Sequence, residues 1–240
     1  MKLPSLPCRL ALCVALTGAV CASAQETPLK AHVDLSRNGH RLKDASQAVV
    51  WLTPIGATVD PPHQDASKIP QLVQKNKSFQ PSLVVIPVGG KVEFPNHDPF
   101  FHNVFSLFEG KRFDLGLYES GTTRFVQFDK PGVSFIFCNI HAQMSAVVVA
   151  LKTPYYAISD TRGDLTMPNV PPGRYELQVF HSSVAPDALH ALSREITIAP
   201  GEASLGSFTL TETDVTSAHK NKYGRDYDRP DPDSPAYARP

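Results

Sequence analysis

Cys138, His141 and Met144 follow one another as Cys-x₂-His-x₂-Met in the stretch Phe137-Cys138-Asn139-Ile140-His141-Ala142-Gln143-Met144. Two more histidines lie upstream in Asn96-His97-Asp98-Pro99-Phe100-Phe101-His102-Asn103-Val104. A thiolate, two imidazoles and a thioether form the donor set of a single copper ion that exchanges one electron at a time. The thiolate and imidazoles lie in a near-trigonal plane, with the thioether as a weak axial partner. Such a set is complete without a substrate, so it points to electron transfer rather than catalysis.

The elements that must position these donors are β-strands. Phe135-Ile136-Phe137 before the cysteine and Ala146-Val147-Val148-Val149-Ala150 after the methionine are short apolar runs rich in aromatic and β-branched residues, as strands are. The three donors between them therefore share one tight strand-to-strand loop. The fourth comes from the upstream stretch, where His102 opens a second apolar run, Val104-Phe105-Ser106-Leu107-Phe108. His97 is its rival, five residues earlier. Taken singly, a buried cysteine is a small core hydrophobe and a histidine an ordinary surface or core residue; the joint spacing carries the reading. The remaining histidines are scattered and read as surface residues.

The cysteine count sharpens it. Residues 1–24 combine the charges of Lys2 and Arg9, an apolar centre over Leu10–Val20 and a small-residue site at Ala22-Ser23-Ala24, the pattern of a secretory signal peptide cleaved after Ala24. The expected location is thus the periplasm or the exterior. Cys8, Cys13 and Cys21 would leave with the leader, so Cys138 is the one thiol of the mature chain. Exported proteins generally pair their thiols, and metal ligation explains the unpaired one. Loss of the leader removes two of 23 basic residues and none of 23 acidic ones, for a net charge of −2. With no basic stripe, nucleic acid is not an expected partner, and no later run approaches the ~20 apolar residues of a membrane span.

In chain order, strands are expected at Leu29–Leu35 and Ala48–Leu52, then a polar loop over Thr53–Pro70. Two strands across the Gly89-Gly90 turn follow, then segments at Arg112–Tyr118 and Thr122–Phe128, and the strand that carries Cys138. Asn96–Val104 and Cys138–Met144 resemble the two copper-binding segments of cupredoxins of the plastocyanin and amicyanin type, whose first segment ends in His-Asn-Val. That resemblance spans about residues 29–151. It implies a Greek-key β-sandwich with type 1 copper, His102, Cys138 and His141 as strong ligands and Met144 as the axial one. It also implies that Asn103 bridges the two ligand segments, and that a redox partner protein docks near His141, where Phe100, Phe101, Phe105 and Phe108 supply core packing or an apolar rim.

From Thr153 a second pattern begins, with Pro171-Pro172-Gly173-Arg174-Tyr175 leading into an alternating strand through Phe180, and further strands at Glu195–Ile198 and Ser207–Leu210. This resembles a carboxypeptidase regulatory-like, transthyretin-like sandwich. The expected organisation is all-β: a leader at 1–24, a cupredoxin domain at 25–151, a second sandwich at 152–211 and a disordered tail at 212–240, where Tyr223, Tyr227 and Tyr237 are potential anchors. Arg162-Gly163-Asp164 matches an adhesion tripeptide that turns reproduce by chance. Two other functions remain open from sequence: copper storage or delivery, and a metal-free scaffold or adhesion module.

Overall fold

The computed structural model describes residues 28–57, 59, 62–107, 110–213 and 220–227; the leader lies outside them. The described residues are all-β apart from one short helix, α1 (Pro186–Leu192). No helix among the described residues is long and apolar enough to cross a membrane.

The first strands are β1 (Leu29–Arg37), β2 (His40–Arg41) and β3 (Val49–Pro54). The middle of the chain forms β4 (Val73–Lys75), β5 (Ser78–Gln80), β6 (Leu83–Pro87), β7 (Lys91–Pro95), β8 (His102–Ser106), β9 (Phe113–Tyr118), β10 (Thr123–Gln127), β11 (Gly132–Phe137) and β12 (Ser145–Leu151). Then come β13 (Tyr156–Ile158), β14 (Asp164–Met167), β15 (Gly173–Phe180), β16 (Arg194–Ile198) and β17 (Ser204–Thr211).

Strand pairing corrects the expected domain boundary. β1 lies between β14 and β17, and β3 between β13 and β15. Residues expected in the first domain thus build both sheets of the second, and the unit that carries Cys138 is an insertion between β3 and β13. The alternation Leu29, Ala31, Val33, Leu35 on β1 shows one buried face, but a period of two does not encode which strand lies alongside. The carboxyl-terminal sandwich packs its core from both ends of the chain, with Val50 opposite Val179 and Leu52 opposite Leu177 across β3 and β15.

The inserted domain holds the five-stranded sheet β6-β12-β11-β8-β9 and the pair β10-β7. Its strand β12 is buried on both faces, and this explains why Ala146–Leu151 is an unbroken apolar run. Ala146, Val148 and Ala150 enter the core that contains Cys138 and Met144. Val147, Val149 and Leu151 pack instead with Val49 and Phe180 of the other sandwich, alongside Trp51, Val85 and Phe135. Phe135 and Phe180 meet edge-on with ring centres 6.0 Å apart. The two sandwiches therefore share an apolar junction behind the strand that follows the Cys138–Met144 loop.

The Arg162-Gly163-Asp164 tripeptide is a turn fixed by packing. Gly163 has φ +90°, and a Cβ there would lie 2.0 Å from the Val33 carbonyl, which accounts for glycine. His181, read as a surface residue, is buried, with Nε2 3.2 Å from the Ser46 carbonyl and Nδ1 2.9 Å from Ser183 Oγ.

Candidate metal centre

Two neighbouring strands deliver the donors. β8 starts at His102 and is buried throughout. β11 ends at Phe137, which is paired with Phe105 of β8, so the next residue, Cys138, emerges beside His102. The seven-residue loop to Met144 is closed on itself: Cys138 N–H donates to the Met144 carbonyl at 3.1 Å, and Met144 N–H to the His141 carbonyl at 3.0 Å.

Three donors converge. Cys138 Sγ lies 3.6 Å from His102 Nδ1 and 3.5 Å from His141 Nδ1, and the three atoms lie within 4.8 Å of one another. Bonds of about 2.0 Å to nitrogen and 2.3 Å to sulfur, meeting at tetrahedral to trigonal angles, would separate the two atoms by about 3.5–3.7 Å. The donors are therefore spaced as they would be around one ion. Met144 is fully buried in the same core cluster as Cys138. His97 is exposed and takes no part; its backbone N–H donates to the Gln74 carbonyl.

The site fits a metal electronically as well. His102 Nε2 lies 2.8 Å from Asp98 Oδ2, which fixes the tautomer: Nε2–H donates to the carboxylate, and the Nδ1 lone pair faces the sulfur. Asp98 is held by its own bonds from the N–H groups of Asn76 (2.6 Å) and Lys77 (2.9 Å) in the β4–β5 turn. Burial works against this carboxylate, but the N–H donors of Lys77, His102 and Asn76 together keep it below its usual range. Asn96 organises the turn that carries Asp98, with Nδ2 donating to the Phe100 carbonyl at 2.9 Å and Oδ1 accepting from Asp98 N–H at 3.0 Å.

Burial lowers both imidazoles. His141 is pushed down to about 4, mainly by desolvation and further by the charges of His102 and Lys77; His102 is lowered by desolvation against the pull of Asp98. Burial raises the Cys138 thiol, although the backbone N–H groups of Asn103, Ile140 and His141 favour its thiolate. Near neutral pH the metal-free site thus holds two neutral imidazoles and a protonated thiol. Copper binding must expel that single proton. We expect about one proton released per copper bound, and an affinity that rises about tenfold per pH unit below the thiol's raised pKa; a calorimetric titration in buffers of different ionisation enthalpy measures both. The imidazoles add nothing above about pH 6.5.

Asn103 follows His102 on β8, and its backbone N–H favours the Cys138 thiolate. Its side-chain Nδ2 donates to Asp114 Oδ1 on β9 at 2.7 Å. Phe100 packs on both imidazoles, 5.2 Å from His102 and 5.7 Å from His141, whereas Phe101 is exposed and Phe105 is core. Phe108 lies outside the described residues. Asp98 and Asn96 are not marked by the sequence motif; the signal for Asp98 is an acid four residues before His102.

No family model matches this chain, and no curated protein matches it. Among solved structures it is similar to a purple cupredoxin from Nitrosopumilus maritimus, at 24% identity over 34% of this chain and 99% of that one, with a TM-score of 0.32. It is also similar to amicyanin from Paracoccus versutus, at 18% identity over 36% of this chain and 85% of that one, with a TM-score of 0.34. The larger part of this chain lies outside each match. At these identities and scores the matches assign no ligand.

Proposed function

We propose that this chain is an exported copper protein that passes single electrons to and from a partner protein, with one copper held by His102, Cys138, His141 and Met144. The observation that carries this is the placement of Cys138 Sγ 3.5–3.6 Å from the Nδ1 atoms of two imidazoles, in a pocket that burial and Asp98 prepare for a metal. Copper supplies the one-electron couple, tuned by a soft thiolate and a weak thioether. The residues supply rigidity: each donor is anchored to a strand, a closed loop or a hydrogen-bonded turn, so a change in charge need move little. Phe100 covers both imidazoles and limits water. A donor set filled by protein groups favours an electron carrier over a catalyst. The leader pattern supports export, and we read the second sandwich as a transthyretin-like support.

Copper added to the purified chain should saturate at one ion per chain and give an intense thiolate-to-copper absorption. It should then cycle between Cu(II) and Cu(I) without leaving. Copper that departs on reduction would favour delivery, and no stoichiometric binding would favour a metal-free module.

A further inference from the structure

Of the tail expected to be disordered, the segment Lys220–Tyr227 is ordered against the ligand loop. It folds on itself: Asn221 Oδ1 accepts the N–H groups of Tyr223 and Arg225 at 3.0 Å each, and Asn221 N–H donates to the Arg225 carbonyl at 2.9 Å. From this knuckle three bonds reach groups next to metal donors. Tyr227 OH donates to the Cys138 carbonyl at 2.9 Å. Lys222 N–H donates to Asn139 Oδ1 at 2.9 Å. Lys222 Nζ pairs with Asp114 Oδ2 at 2.8 Å, and the other oxygen of Asp114 accepts from Asn103, the residue after His102. The segment therefore ties the cysteine loop to the strand pair that carries the other ligand. The four donors themselves do not need it, because all of them lie between β8 and β12.

We propose that Lys220–Tyr227 is a strap coupled to copper occupancy, which holds the Cys138–Met144 loop closed on its metal and whose release opens the route by which the metal leaves. This rests on the copper reading above. Coupling is reciprocal: if the docked strap tightens copper binding by slowing its loss, bound copper must favour the docked strap to the same degree. Lys222 and Arg225 lie within it, so trypsin can read its release.

The test uses the full copper-loaded chain, its Tyr227→Phe variant, which removes one hydroxyl and keeps the ring, and the double variant with Lys222→Met. Copper transfer to an excess of chelator should quicken about three- to tenfold in Tyr227→Phe, as loss of one hydrogen bond predicts, and further in the double variant. The melting of the metal-free variants should match that of the parent. In the parent, copper should slow tryptic cleavage after Lys222 and Arg225. Equal rates of copper loss in all three chains, or cleavage indifferent to copper, overturns the strap while leaving the copper centre standing. A parent chain that binds no copper overturns both.

Discussion

Replacing Cys138 with serine is expected to abolish the thiolate-to-copper absorption and to weaken copper binding by more than about 100-fold. A serine hydroxyl is close in size, so the fully buried site should keep its packing, but it is a hard donor that does not ionise near neutral pH. The structure shows what is lost: a sulfur within 3.6 Å of the Nδ1 atoms of both imidazoles. Two imidazoles and a thioether remain, a set with no anionic donor to balance Cu(II). Because removing only an outer partner of a ligand already costs about 10–100-fold, loss of the thiolate should exceed that range. Competition with a chelator of known affinity measures it, and circular dichroism of the metal-free variant should show the parent's strand content. A serine variant that binds copper as tightly as the parent would place the metal elsewhere.

Asp98→Asn should produce the second largest effect. The amide retains an oxygen that can accept from His102 Nε2, so the ring orientation survives, but the negative charge that makes the imidazole a better donor disappears. Cu(II) affinity should fall about 10–100-fold. Cu(I), with less charge to stabilise, should lose less, so the reduction potential should rise, by about 59 mV for each tenfold difference between the two losses. Asp98→Ala should be worse in another way, because it also strands the N–H groups of Asn76 and Lys77 and loosens the β4–β5 turn. A potential unmoved by Asp98→Asn would mean that the carboxylate only positions the ring.

The donors were legible because their chemistry is local. Cys-x₂-His-x₂-Met fits one loop between two apolar runs, and that loop is what forms. The choice of His102 over His97 was legible for the same reason: the strand begins at His102, and a strand's first residue can face the partner loop, whereas His97 lies in a turn whose inward positions belong to Asn96 and Asp98. Pairing over long sequence distance was not legible. β1 announces a buried face, but its neighbours β14 and β17 lie over 120 residues away, and nothing in an alternating strand specifies them. The hairpin β4–β5 was hidden in a polar stretch, and with it the cradle for Asp98. The tail has the composition of a disordered segment, and the anchoring role considered for its tyrosines is met by Tyr227 alone among the described ones; Tyr223 is exposed. Three hydrogen bonds from a polar peptide leave no hydrophobic pattern to read.

The most direct measurement is anomalous diffraction at the copper edge from crystals of the copper-loaded chain. A single strong peak within about 2.0–2.3 Å of His102 Nδ1, His141 Nδ1 and Cys138 Sγ, with Met144 Sδ on its axial side, is the result expected here. A peak at His97 or another histidine, or none near Cys138, would contradict it.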